Sequence, residues 1–363
     1  MGSSTPGRSP ARAPAPAFAH LASLTDRVGL FEHALFAEPR REHGYCTDDV
    51  SRALAVVVRQ PDRHADLDRL LGVFLTFVED AQLPDGRFHN RRAADGAWVD
   101  DVGSGDSQGR ALFGLGVAAA GAPPEYAARA LRAFERGAES FHSPSPRANA
   151  HAAISAAEVI ERHPGHRGAV ALASAAAAGF GARSGDPQWP WPEPRLAYEN
   201  ARLAEGRLAA GVALDRPDLV EEGLALLRWL VTIELANGHF SFTPAGGWEP
   251  GEPRPGFDQQ PIEAGAMAEA CARAYRITGE SRFADLCLLS VRWFLGANDT
   301  GVALLDSDTG GCCDGLERDG RNENMGAEST LVALAALQAA ARSAPSSSSA
   351  DTNAAPTFRS AAP

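Results

Sequence analysis

The sequence predicts an all-α chain, an (α/α)6 toroid in which six helical hairpins build two concentric rings. Two repeating features and one absence carry this reading. Six segments share one pattern, a polar or acidic cluster running into small apolar residues, at intervals of roughly 45–65 residues, the scale of helix-pair repeats. Between them lie six amphipathic segments with larger apolar residues and a charged face. No alternating run long enough for a β-strand competes with either set.

The first set opens with Thr47-Asp48-Asp49-Val50-Ser51-Arg52 and Asp106-Ser107-Gln108-Gly109-Arg110. Next come Arg147-Ala148-Asn149-Ala150-His151 and Tyr198-Glu199-Asn200-Ala201-Arg202. Asp258-Gln259-Gln260-Pro261-Ile262-Glu263 and Asn324-Met325-Gly326-Ala327-Glu328 complete it. The second set is predicted at about 17–36, 64–82, 124–142, 166–180, 216–236 and 280–296. Leu70, Leu71, Phe74, Phe77 and Val78 show the helical period in one member, and Leu219, Leu226, Leu227 and Leu230 in another. A helix covered on both sides needs small side chains, and a helix with one wet face is amphipathic. The first set is therefore the inner ring, and the starts of its helices share one rim. Long inserts at 83–105, 183–197, 237–257 and 297–323 are read as functional loops over that rim. The segment Gly310-Gly311-Cys312-Cys313-Asp314 is read as a tight loop turning into the site with Asp314 at its edge.

The domain is expected to span 17–342. Ser/Pro/Ala-rich tails at 1–16 and 343–363 are expected to be disordered. With 34 Lys and Arg against 46 Asp and Glu, the net charge of −12 argues against a nucleic-acid partner. No apolar run is long enough to span a membrane, and the first 16 residues lack a secretory core. Five cysteines, at positions 46, 271, 287, 312 and 313, are an odd number and lead to an expectation of reduced thiols in a cytoplasm. Adjacent Cys312 and Cys313 without a spaced His or Cys set fit a tetrahedral zinc site poorly. There is no phosphate-cradling loop or dinucleotide fingerprint, so no metal or cofactor is expected.

The chemistry is expected at the rim. Asp48, Asp49, Glu199, Asp258 and Glu263 are the candidate catalytic carboxyls, because glycosidic cleavage needs two carboxyl groups flanking one bond. Adjacent acids such as Asp48 and Asp49 raise one another's pKa when desolvated, which suits one acid and one base. Asp106, Asn149 and Asp258 equally suit ordinary N-caps. Glu263 and Glu328 lie among small apolar residues inside their helices, where a bare carboxylate is costly. Candidate substrate-binding residues are His43, Tyr45, His89, Asp106, Trp189, Trp191, Tyr198, Asn200, Arg202, Gln259, Gln260, Asn324 and Glu328. Trp189 and Trp191, with Tyr198, are read as a platform on which a sugar ring stacks.

Together the stretches 43–54, 104–116, 189–203, 238–242, 257–264 and 310–337 resemble the six-hairpin glycosidase superfamily. More narrowly they look like a bacterial group of (α/α)6 proteins associated with glycosyltransferases. The blocks at 257–264 and 322–330 are the most specific, and Glu199 stands where that group would carry Asp. The resemblance implies the toroid and carbohydrate processing, and it assigns no catalytic residue. The leading expectation is an enzyme that cleaves or transfers glycosyl units of a mannose- or glucose-type oligosaccharide. A sugar epimerase or isomerase on the same barrel is the alternative, with His43, His89, His151 and His239 as proton carriers. A non-catalytic glycan-binding partner of a glycosyltransferase is another. A terpene-type cyclase fits less well, since Cys46 stands where its acidic motif would continue.

Overall fold

The computed structural model describes residues 13–344. The inner helices are α2 (Thr47–Val58), α4 (Gly105–Gly121), α6 (Pro146–Arg162), α8 (Ala201–Ala213), α10 (Pro261–Thr278) and α12 (Ala327–Ser343). The outer helices are α1 (Ala19–Ser23), α3 (Ala65–Asp80), α5 (Pro124–Ser140), α7 (Arg167–Ala178), α9 (Pro217–Glu234) and α11 (Ser281–Phe294). Each inner helix packs on the next in chain order, and α12 packs on α2, so the ring is closed. Helices α3, α5, α7, α9 and α11 each lie against the inner helix before them, and α1 lies against α12. The predicted toroid is the observed fold.

Small residues make this closure physically possible. A Cβ on Gly114 of α4 would lie 2.6 Å from the Ser51 carbonyl oxygen of α2, and one on Gly265 of α10 would lie 2.8 Å from the Val332 Cβ of α12. The inner helices can approach only because nothing projects at those points. The outer helices match their predicted spans except the first. Helix α1 ends at Ser23 rather than continuing to residue 36, because the Asp26 carboxylate accepts hydrogen bonds from the Val28 and Gly29 amides (2.7 and 3.1 Å) and turns the chain. Beyond the turn run two-residue strands β1 (Ala34–Leu35) and β2 (Glu38–Pro39), paired antiparallel.

Apolar burial is concentrated in the sleeve between the rings, in two clusters. One gathers mainly around α2 to α7, the other around α8 to α12. Charged pairs run through the middle of the inner ring. Arg202 of α8 contacts Glu199 (3.0 Å), Glu205 (2.5 Å) and Glu269 of α10 (2.8 Å). Buried ions tolerate such a place only when paired and hydrogen-bonded.

Connections from inner to outer helices are short, at 59–64, 122–123, 163–166, 214–216 and 279–280. Most returns from outer to inner helices are long, at 81–104, 179–200, 235–260 and 295–326. The long loops and the inner-helix starts therefore share one mouth. Ser104 and Ser145 cap α4 and α6 there by accepting from the Ser107 and Ala148 amides. The tails expected at 1–16 and 343–363 lie outside the described residues, except for positions 13–16, 343 and 344. Ala13 packs on the second apolar cluster, and Ser343 completes α12.

Candidate active site

At the mouth, between the starts of α2 and α12, lies a cavity of ≈ 380 Å³. Three walls contribute. The start of α2 brings Cys46, Asp48, Asp49 and Arg52, and the start of α12 brings Glu328 and Ser329. Glu32 and His33 come from the segment beyond α1, with Arg91, Gln260 and Asp314 from the loops. Five carboxyl groups thus face one space with two guanidiniums.

The pairing is specific. Arg52 joins Asp49 (2.7 Å) to Glu328 (3.0 Å), and Arg91 pairs with Glu32. Arg110 holds Asp48 at 3.0 Å, yet Asp48 Oδ1 is buried without a hydrogen-bond partner. Desolvation pushes Asp49 up to about 7, against the pull of Arg52. Burial likewise raises Asp314, whose carboxylate accepts from the Gly326 amide at 2.8 Å. The mouth therefore holds a buried carboxyl that exchanges its proton near neutrality, a solvent-facing carboxylate across a shared arginine, and an acceptor with no partner.

Glu32, Cys46 and Asp49 place potential metal ligands within 4.8 Å of one another. The donor set fits a metal poorly, because Arg91 and Arg52 already neutralise the two carboxylates and burial holds the Cys46 thiol well above its usual range.

Of the candidate residues, Asp48, Asp49, Gln260 and Glu328 line the cavity. Asp258 does not line it and is exposed two residues before Gln260, on the approach to α10. His43 is exposed and lies edge-on to His33 at 5.0 Å, one step outside. Asp106 and Tyr198 bond each other elsewhere on the rim, Ser145 donates to Asp106 (2.7 Å), and the Tyr198 ring covers Arg147 (4.7 Å). His89 stacks on Trp98 (5.0 Å), and Asn324 accepts from the Phe36 amide (2.9 Å).

Other expected site residues are spent on the fold. Glu199 is 1% exposed and bonded to Arg110 (2.9 Å), His151 (3.0 Å) and Arg202 (3.0 Å). Burial opposes its ionisation, but these three groups prevail and hold it well below the usual carboxylate range. Glu263 accepts from the Glu199 and Asn200 amides and from the Asn200 side chain, tying down the chain that enters α8. Burial first, and then the charge of Glu234, raise it to about 8. Gln259 bonds the Phe242 amide and Trp293 indole inside the wall, and Arg202 and Asn200 are buried with it. Tyr45 is buried, stacks on Phe31 (4.8 Å) and donates to Asp26 (2.8 Å). The platform expected of Trp189 and Trp191 is corrected for the same reason. Trp191 is 1% exposed and stacks on Trp229 at 5.7 Å, while Trp189 meets Trp229 and Trp248 edge-on. An indole face covered by protein has no room for a sugar.

Glu32, His33 and Arg91 were missed. The first two were hidden by reading 17–36 as a helix, whose wet face would have carried them to solvent. Arg91 lies in a two-residue strand, Arg91–Arg92, paired with Tyr45–Cys46, which nothing in the residue pattern marks. Asp314 had a signal in the Gly310–Gly311 turn that delivers it.

No protein-family model matches the chain, and no curated protein matches it by sequence. Solved structures do resemble it. A sugar epimerase from a ruminal bacterium superposes with a TM-score of 0.68 at 11% identity, covering 87% of this chain and 94% of that one. The cellobiose 2-epimerase of Spirochaeta thermophila gives 0.62 at 12% identity over 89% and 95% of the two chains. A GH76 alpha-mannanase of Bacteroides thetaiotaomicron gives 0.60 at 10% identity over 89% and 93%. At such identities the likeness is one of fold.

Proposed function

We propose that the chain is a carbohydrate-active enzyme of the glycoside-hydrolase type, with the mouth cavity as its site. Asp49 is the proton-carrying acid, and Glu328 is the carboxylate that activates water or attacks the sugar. Asp48 receives a sugar hydroxyl at its unpartnered oxygen. The observation that carries this reading is Asp49 itself, a buried carboxyl near pH 7 coupled through Arg52 to a second carboxylate in one cavity. A buried protonatable acid beside a second, solvent-facing carboxyl group is what glycosidic cleavage asks of a site. The cavity volume lies in the range of small-molecule sites, and the mouth of this barrel is where the long loops gather. The mannanase and the epimerases named above share this fold, and their likeness supports a sugar substrate.

The test is incubation with a panel of gluco- and manno-oligosaccharides, read as new reducing ends. Wild type releases sugar, and Asp49→Asn, folded normally, loses about 100-fold or more in kcat. Full activity in Asp49→Asn removes it from the mechanism.

A second reading rests on His33, which lines the cavity with His43 beside it. Imidazoles there suit proton exchange at a sugar carbon, as in an epimerase. Reactions in heavy water separate the two. Deuterium at a sugar C–H without chain cleavage selects epimerisation, and cleavage without it selects hydrolysis.

A further inference from the structure

The barrel has a second cavity, ≈ 410 Å³ in volume, at the end opposite the mouth. Its floor is a closed ring of alternating charges. Glu269 is shared by Arg59 (2.6 Å) and Arg202 (2.8 Å). Glu205 is shared by Arg202 (2.5 Å) and Arg273 (3.0 Å), and Glu158 by Arg273 (3.0 Å) and Arg59 (3.6 Å). Three carboxylates balance three guanidiniums, and burial is tolerated because every charge has partners of opposite sign.

Arg276 of α10 and Arg342 of α12 line the same cavity but stand outside that ring. Among the described residues neither donates a short hydrogen bond. The nearest carboxylate to Arg276 is Glu161 at 3.7 Å, with both side chains more than half exposed. The like charge of Arg273 weakens the hold of Arg276 on its proton, and desolvation followed by Arg59 pulls Arg342 down to about 10. The inner-helix C-termini point to this end, and their partial negative charge attracts cations. That accounts for basic residues at this end, and both guanidiniums are exposed at the cavity lip, where a ligand can reach them. Arg63 shows how a helix end is normally met, donating to the Val58 and Gln60 carbonyls at 3.0 and 3.3 Å. Two guanidiniums therefore remain over a neutral floor with a cavity between them.

We propose that this cavity binds a small phosphate-bearing ligand, whose phosphate is gripped by Arg276 and Arg342 at the lip. Guanidinium forks match phosphate oxygens two at a time, which a single ammonium cannot do. The floor is already charge-balanced and offers carboxylate oxygens as acceptors, so the rest of the ligand presents hydroxyl or amine groups. The site is independent of the chemistry at the mouth and stands whether or not that reading survives.

The test is isothermal titration of the full chain with pyrophosphate and with inorganic phosphate at low ionic strength. Wild type, the Arg276→Ala/Arg342→Ala double variant and Arg87→Ala are compared. Arg87 is an exposed arginine in a mouth loop, paired with Asp85. Saturable one-to-one binding of pyrophosphate is expected in wild type and in Arg87→Ala, weakened at least tenfold in the double variant. The unliganded melting temperature of the double variant is expected to match wild type, since neither side chain holds the fold. Absence of saturable binding in wild type overturns the proposal. So does equal affinity in the double variant, or binding of citrate as tight as that of pyrophosphate.

Discussion

Replacing Glu199 by Gln tests whether the charged axis of the barrel holds it together. The carboxylate is sealed from water and receives hydrogen bonds from Arg110, His151 and Arg202. Glutamine keeps the shape but loses the charge, and its amide points two donors at groups that are themselves donors. Removing one partner of a buried ion pair costs about 3–5 kcal/mol, because the opposite charge is left uncompensated. Unfolding entropy near 2.1 cal/mol/K per residue, taken over residues 13–344, gives roughly 0.7 kcal/mol/K, so the melting temperature should fall by about 4–7 °C. Thermal unfolding followed by circular dichroism at neutral pH is the assay. The pH dependence has a definite sign. The folded-state pKa of Glu199 is depressed, so its contribution is present above the ordinary carboxylate range and is lost as pH falls through the folded value. The gap between wild type and variant should therefore narrow in acid. A fall of less than about 1 °C at neutral pH would refute the view that the axis stabilises the ring.

Three further outcomes follow from the same structure. If Asp49 has the proposed acid role, kcat/KM should decline as pH rises through about 7, the value to which burial raises it, and a pH–rate profile with no inflection there would contradict that role. Glu263 is raised to about 8, so the stability it confers is lost as pH rises from the usual carboxylate range through that value. Glu263→Gln should flatten the fall of the urea midpoint across that window, leaving the slope from Glu234 and Asp49, which burial raises to about 7. Gly114→Val should destabilise by about 1–3 kcal/mol through overpacking against Ser51, measured by urea unfolding, whereas a neutral result would mean the α2–α4 seam can open.

The ring and its mouth were legible because both rest on patterns that survive in one dimension. Ala and Gly in the inner helices record the close approach that Gly114 and Gly265 make visible. The polar clusters opening at Thr47, Asp106 and Arg147 begin within one residue of the observed helix starts, and those opening at Tyr198, Asp258 and Asn324 begin three residues ahead of theirs. What could not be read was direction. Glu199 and Glu328 look alike in sequence, yet one turns into the axis to meet two guanidiniums and an imidazole and the other stays at the mouth with Arg52. Trp189 and Trp191 belong to a loop, but that loop folds back so that their faces meet Trp229 of α9. Glu32 and His33 were obscured by a turn whose cause, the Asp26 carboxylate bonding its own neighbours, competes locally with the helical pattern.

The contact of α12 with α2 has a consequence for how the molecule comes apart. An open stack of hairpins has two end units, which can peel away singly while the rest stays intact. Here every hairpin is flanked on both sides, and the charged ring of Arg59, Arg202 and Arg273 draws on four different inner helices at once. Excising any one pair would expose two seams, and excising a pair that feeds the charged ring would also leave an ion there short of a partner. The six units should accordingly be lost together, in one transition.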